Sequence, residues 1–227
     1  MNPLSDFHAQ GVPLPHIRRI AADRPLNWLR AGWHDLRANP LPSLAYGLLF
    51  ALGGDLIILA LLQSPHLLTV SISGFFLVAP LLAAGLYELS RKTEAGEEIL
   101  FIDSLKCFGR NGQSLAIFGL VLALIILLWE RFSAVAFALI GADSAPIASA
   151  YLNEILFDGQ HLAFTATWLA LGGVLALFVF ALAVVSVPLM LDRDADVATA
   201  IMTSLRAFTR NFGPLLLWAA LLVTLTL

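Results

Sequence analysis

The sequence predicts an all-α protein, a polytopic bundle of transmembrane helices. Of the 227 residues, 59% are hydrophobic and only 13% are charged, whereas a soluble domain carries about 25% charged residues. The apolar residues are concentrated in long runs, and nearly all of the charges lie between those runs. This composition excludes a soluble globular protein, a nucleic-acid-binding protein and a disordered tail.

Five apolar runs predict five membrane spans. The first run has 19 residues, which cover roughly 28 Å as a helix, close to the thickness of a bilayer core. The runs are Leu44–Leu62, Leu68–Leu89, Ser114–Trp129, a stretch within His161–Leu191, and Phe212–Leu227.

Two of these runs have unusual lengths. His161–Leu191 is too long for one span, so we expect a bend at Gly172-Gly173 and a span over Gly172–Leu191. The run from Phe212 is short, which predicts either a short final helix or the beginning of a longer natural one.

The basic residues predict the orientation. Twelve of the 13 Lys and Arg residues fall on one side of the predicted spans, and only Arg131 falls on the other. The positive-inside rule therefore predicts a cytoplasmic N-terminus. The twelve are Arg18, Arg19, Arg24, Arg30, Arg37, Arg91, Lys92, Lys106, Arg110, Arg193, Arg206 and Arg210.

The predicted spans divide the chain into two regions. Residues 1–43 form a cytoplasmic tail with an interfacial amphipathic helix, and residues 44–227 form the transmembrane bundle. An outside loop covers residues 130–160, beginning where Glu130-Arg131 ends the third span. Within it, Ile147–Phe157 has the periodicity of a short amphipathic helix.

A short pattern occurs three times and ends each time in Asn39, Asn111 or Asn211. In each copy an apolar residue stands six before the Asn, a basic-type residue five before it, and Leu or Phe three before it. Gly or Pro and then a membrane span follow. The predicted unit is an amphipathic helix, a turn at a left-handed Asn, a helix out and a helix back.

The first copy predicts an interfacial helix. One face carries Trp28 and Trp33, and the opposite face carries Arg30 and Arg37. Tryptophan favours the membrane interface, and arginine reaches the lipid phosphates. We therefore expect interfacial anchors at Trp28, Trp33, Arg30, Arg37, Arg110 and Arg210.

Asp55 is the candidate intramembrane functional residue. It follows Gly53-Gly54 inside the first apolar run, and an acid at membrane depth costs several kcal/mol unless it is paired, protonated or wet. It could handle protons or cations. Alternatively, it lies near the outer interface, since it stands roughly 18 Å along the helix from Ser43.

The other reactive side chains predict no catalytic, cofactor-binding or metal-binding residues. None of the five histidines lies deep in a span, and Cys107 is the only cysteine, so neither bis-His haem ligation nor a zinc site is expected. The acids of Asp192–Asp196 predict a solvated connector more readily than an oxygen-ligand cation site. Glu88 and Arg91 predict an exposed ion pair.

Several segments resemble a proteobacterial family of predicted integral membrane proteins known only as domain of unknown function 2189. The resemblance covers essentially the whole chain and implies a bacterial inner-membrane protein with six spans, one more than the five predicted here, but it implies no activity. It is carried by Ile17–Leu36, Ser43–Ala51, Ala79–Leu81, Gly85–Arg91 and Ser186–Asp194.

Two functions are consistent with these features. The first is a non-catalytic accessory or scaffold subunit that packs in the lipid bilayer against other membrane proteins, such as those of a respiratory or photosynthetic complex, or against its own copies. The second is a small-solute, proton or cation transporter or channel that uses Asp55. An intramembrane enzyme is disfavoured, because the sequence offers no nucleophile–base pair.

Overall fold

The computed structural model describes residues 15–61, 83–97, 101–106, 109, 111–140 and 162–226, and these are almost entirely α-helical. The all-α prediction is confirmed. The helices are α1 (Arg24–Ala38), α2 (Pro40–Leu61), α3 (residues 83–95), α4 (Phe101–Leu105), α5 (Gly112–Ile140), α6 (Leu162–Ala183), α7 (Ser186–Arg193), α8 (Val197–Arg210) and α9 (Phe212–Thr226).

Candidate membrane spans lie where the apolar runs predict them. Within the described residues, Gly112–Phe132 and Leu169–Arg193 are long and apolar enough to cross a bilayer. The pair α8–α9 adds a third if its 101° bend lies within one span. Most of the second predicted span and the predicted helix Ile147–Phe157 lie outside the described residues, so the count of five stays a prediction.

The helix that contains the third predicted span extends beyond that span. We predict the span to end at Trp129 and the outside loop to begin at Glu130; the candidate span reaches Phe132, and α5 continues without interruption to Ile140. The reason is that neither Gly nor Pro follows the Glu130-Arg131 pair before Gly141. Two adjacent charges at a helix surface do not break the backbone ladder, whereas a proline does. The boundary of the outside loop stays a prediction.

The prediction of a bend at Gly172-Gly173 is also wrong. Helix α6 passes through both glycines and ends at Ala183, and the interruption lies at Val184-Val185. Pro188 explains this position, because a proline cannot donate a backbone hydrogen bond and its ring clashes with the carbonyl four residues earlier. That carbonyl belongs to Val184.

A serine from a different helix repairs this interruption. Ser204 of α8 is fully buried. Its Oγ accepts a 3.1 Å hydrogen bond from the Val185 backbone N–H and donates a 2.7 Å bond to the Ala181 carbonyl oxygen. These two groups would pair directly in an unbroken α-helix. The hydroxyl therefore replaces one helical hydrogen bond and joins α8 to α6.

The three asparagines of the repeat lie at the same kind of junction. At Asn39 and Asn211 one helix ends and the next begins immediately, and Asn111 directly precedes α5. Each asparagine carbonyl accepts a hydrogen bond from the N–H four residues later, at Ser43, Leu115 and Leu215. Each asparagine thus provides the first hydrogen bond of the helix that follows it.

The left-handed conformation expected at these asparagines is not the one found. Asn39 has φ −133° and Asn211 has φ −125°, which a non-glycine residue adopts without strain. Their backbone N–H groups instead bond to Asp35 and Ala207 of the preceding helix. Among the described non-glycine residues, only Asp194 has a positive φ, of 49°.

The repeat extends into the following helices. Seven residues after each asparagine stands an aromatic residue: Tyr46, Phe118 or Trp218. Tyr46 and Phe118 are almost completely buried. The Tyr46 hydroxyl lies 2.7 Å from Ser104 Oγ of α4, and the Trp218 ring packs edge-on against Trp28 of α1 at 5.7 Å.

These contacts follow a cyclic order. We call α1, α4 and α8 the connector helices, because each precedes one of the three asparagines. Tyr46 of the first repeat contacts α4 of the second, and Phe118 of the second shares a core cluster with Ala200 of α8 in the third. Trp218 of the third contacts α1 of the first, so α9 and α1 close the ring.

Two apolar clusters form the core of the described region. The larger one joins α3, α5, α7 and α8 around Phe118 and Met190, both fully buried. The smaller one joins α6, α8 and α9 through Ala181, Phe208 and Leu215. Because α8 contributes to both clusters, it is the central element of the described bundle.

The repair by Ser204 can be tested by removing its hydroxyl. Ser204→Ala leaves the Val185 N–H and the Ala181 carbonyl without their partner, and an unsatisfied buried polar group costs about 1–3 kcal/mol. We expect the free energy of unfolding, measured in detergent micelles, to fall by that amount.

The matched control is Thr224→Ala. Its hydroxyl is exposed and bonds only to the backbone of its own helix, at Ala220 and Leu221, so the change should stay within about 0.5 kcal/mol. Equal losses in the two variants would contradict the role assigned to Ser204.

Candidate functional site

The asparagine side chains connect parts of the chain that are far apart in sequence. Asn111 Nδ2 donates 3.0 Å hydrogen bonds to the carbonyls of Met190 and Ala195, on either side of the turn between α7 and α8. Asn39 Nδ2 donates a 3.0 Å bond to Thr93 Oγ1, near the end of α3. Each amide therefore holds the chain shortly before the next connector helix.

Asn211 makes the equivalent connection to the N-terminal segment. Its Oδ1 accepts a 2.8 Å hydrogen bond from the Ile20 N–H, and its Nδ2 donates a 3.1 Å bond to the Arg18 carbonyl. The side chain is buried, and Nδ2 also lies 3.2 Å from the Ala207 carbonyl. The amide thus pairs with the backbone of residues 18–20 and fixes this segment just before α1.

An arginine-lined cavity lies where this N-terminal segment meets α8. Its volume is about 360 Å³. Two of its side chains, Arg206 and Arg210, stand one helical turn apart on α8 and are exposed. Within the part of the chain that the structure describes, the lining residues are Pro15, His16, Ile17, Arg206, Thr209 and Arg210.

A second, smaller cavity of about 230 Å³ lies between the ends of α3 and α7. Glu88 and Arg91 on its wall form a bidentate ion pair, with Nη2–Oε1 at 2.6 Å and Nε–Oε2 at 2.9 Å. The pair was predicted, but not its burial: the Glu88 side chain is only 7% exposed. Pro188 and Leu191 of α7 line the same cavity. The hydrogen bond that Arg91 donates to Glu88 raises the pKa of Arg91.

The acids between α7 and α8 have local structural roles. Asp194 adopts the left-handed conformation that ends α7. Asp196 caps α8, since its carboxylate accepts a 3.0 Å hydrogen bond from the Thr199 N–H. That hydrogen bonding lowers the pKa of Asp196. The Oδ2 atom of Asp192 lies 3.7 Å from the Nε atom of Arg193. These contacts are those of a connector, and no group of three or more potential metal ligands occurs within the described ranges.

The predicted anchors lie in different surroundings. Trp28 is partly buried and packs against the core between α8 and α9, while Trp33 is 56% exposed. The Arg37 guanidinium lies 4.9 Å from the Trp33 ring centroid, which is cation–π geometry. Arg30 is exposed. Arg110 lies outside the described residues, and the anchoring role of all these residues stays a prediction.

Asp55 lies in the second half of α2 and is exposed. It lines neither of the two described cavities. Most of the second apolar run lies outside the described residues. The role of Asp55 in proton or cation handling therefore stays a prediction.

Sequence reasoning overlooked two features of this region. Ser204 and Asn211 stand seven residues apart, which places them on one helix face together with Ala200, Ala207 and Phe208; all five are buried. Two polar residues on an otherwise apolar helix face were the sequence feature that could have indicated these buried contacts. Nothing in the sequence indicates that His16 and Ile17 line the cavity. Their position depends on the hydrogen bond between Ile20 and Asn211, which are 191 residues apart in the sequence.

Comparison with known proteins places the chain in a family. A family model described as "Predicted integral membrane protein (DUF2189)" matches residues 67–192, more than half of the chain. No curated protein and no solved structure matches. The matched segment includes α3, α4, α5, α6 and α7 except Arg193, and therefore nearly all of both candidate spans. The chain belongs to the DUF2189 family of predicted integral membrane proteins.

Proposed function

We propose that this protein is a non-catalytic accessory or scaffold subunit that packs against other membrane proteins or against a second copy of itself. The observation that carries the proposal is the use of its buried polar side chains. Among the described residues, Ser104, Ser204 and Asn211 connect separate segments of the chain, and only Glu88 of the buried polar residues lines a described cavity.

The buried hydroxyl and amide groups illustrate this use. Ser204 joins α8 to α6, and Asn211 joins α8 to the N-terminal segment. Asn111 joins the beginning of α5 to the end of α7. Among the described residues, no buried side-chain nitrogen or oxygen lacks a hydrogen-bond partner. Such an arrangement supports a rigid packing unit, since satisfied polar networks specify one structure.

The outer surface of the bundle supports the same function. On α5, Leu120, Leu124 and Leu128 form an exposed stripe along one face, whereas Phe118 and Leu122 are buried on another. Exposed leucines in a bilayer contact either lipid tails or another protein. Because lipid tails are as apolar as leucine, close shape complementarity decides between them, and a rigid bundle provides a fixed shape.

Membrane insertion and orientation complete the proposal. The family and the apolar helices make this an integral, multi-pass membrane protein. We further propose a bacterial inner membrane with the N-terminus in the cytoplasm, a placement supported by the distribution of the basic residues.

Purification from native membranes tests this function. We expect the tagged full chain, extracted in mild detergent, to retain a second membrane protein or a second copy at fixed stoichiometry. A tagged membrane protein of similar size from the same cells is the control for adventitious recovery. Recovery of a lone monomer would contradict the proposal.

The alternative function is transport of protons, cations or small solutes through Asp55. The observation that favours it is a carboxylate exposed on α2 between Gly54 and Leu56, within an apolar run. Such a charge is costly at membrane depth and typically marks an ion pathway.

Liposome flux measurements distinguish the two functions. If Asp55 carries protons or cations, the reconstituted protein will dissipate an imposed gradient, and Asp55→Asn will abolish the flux without changing the helical content. Asp23→Asn, which changes an acid just before α1, is the matched control. Liposomes that hold the gradient with the unmodified protein would contradict the transport function.

A further inference from the structure

The arginine-lined cavity concentrates positive charge at Arg206 and Arg210. His16 also lines it, and none of its described lining residues carries a carboxylate. Among the described residues, neither arginine has a carboxylate within ion-pair distance. Two like charges one helical turn apart repel each other. An anion between the two guanidinium groups would relieve that repulsion.

The donors of the cavity are suited to a phosphate group. The Thr209 hydroxyl is already engaged, since it donates to the backbone carbonyls of Leu205 and Arg206. The guanidinium groups of Arg206 and Arg210 therefore supply the free donors. A guanidinium presents a planar fork of N–H groups that matches phosphate oxygens in a bidentate manner.

The opposite wall of the cavity is fixed in place. Residues His16 and Ile17 directly precede the backbone that Asn211 holds through Arg18 and Ile20. The buried Asn211 amide thus makes the cavity part of the folded structure rather than a gap beside a loose tail. A preformed wall lowers the ordering cost of binding a ligand.

We infer that this cavity binds a phosphate group, and that the phosphate belongs to the headgroup of an anionic phospholipid. The cavity lies at the junction of α8 with α9, on the side where the arginine distribution predicts the cytoplasmic leaflet. Basic pockets between membrane helices on that side bind anionic headgroups. This inference assigns a ligand that the scaffold function does not require, so either can fail without the other.

The test measures lipid binding by the full chain in detergent. Native mass spectrometry is used to titrate phosphatidylglycerol against phosphatidylcholine. Removing a basic residue near an anionic headgroup weakens binding about fivefold, so R206Q/R210Q should weaken phosphatidylglycerol binding about 25-fold. Both arginines are exposed, so the helical content should not change.

The matched control is R30Q/R37Q, which removes the same charge from α1 outside the cavity. It should weaken phosphatidylglycerol binding several-fold less than R206Q/R210Q, because any contact that the exposed Arg30 and Arg37 make with lipid phosphates lies outside the cavity. Asn211→Ala retains every charge but frees the wall at His16 and Ile17, and it should also weaken binding several-fold. Circular dichroism shows whether this variant keeps its helices.

Three outcomes would overturn the inference. Equal losses in R206Q/R210Q and R30Q/R37Q would mean diffuse attraction rather than a site. Equal binding of phosphatidylglycerol and phosphatidylcholine would exclude recognition of an anionic headgroup. Inorganic phosphate, titrated in the same detergent, should bind far more weakly than the lipid, and equal affinity would overturn the lipid as its source.

Discussion

The described bundle depends on the hydrogen bonding of one residue type at three helix junctions. Where two helices meet at a sharp angle, the last carbonyls of one and the first N–H groups of the next lose their helical partners, and those groups need other partners wherever they are buried. Asn211 lies at a bend of 101°, and its own backbone and amide groups supply hydrogen bonds there. Its backbone bonds to Ala207 and Leu215, and its amide bonds to the chain before α1.

The same solution at Asn39 and Asn111 explains the arrangement of the helices. Each amide reaches the chain that leads to the next connector helix, and the aromatic residue seven positions later packs towards that helix or shares a core with it. Three repeats that each contact the next one form a closed ring. The N-terminal segment completes it, because residues 18–20 bind Asn211 as Ala195 binds Asn111. The arginine-lined cavity lies at this closure.

Much of this architecture was predictable from the residues themselves. Apolar runs predicted the helices, and the spacing of residues before Asn39, Asn111 and Asn211 predicted the repeated junctions. The errors came from local competition that composition does not show. Because of Pro188, the break in the fourth run lies at Val184-Val185 and not at Gly172-Gly173, and Ser204 of another helix stabilises it there. Glu130 did not end α5. The cavity could not be predicted, since it requires residues 15–17 and 206–210 to meet.

The whole arrangement depends on ring closure between the first and third repeats, and crosslinking within the membrane tests that closure most directly. Trp28 and Trp218 are replaced by cysteine in a chain whose single native cysteine, Cys107, is replaced by serine, and a short bis-maleimide is added to native membranes. Because their ring centroids lie 5.7 Å apart, we predict rapid crosslinking within one chain. A Trp33–Trp218 pair should crosslink much more slowly, since Trp33 stands five residues, or roughly 7.5 Å, further along α1 than Trp28. Absence of the Trp28–Trp218 crosslink, or its formation only between chains, would contradict the closed ring.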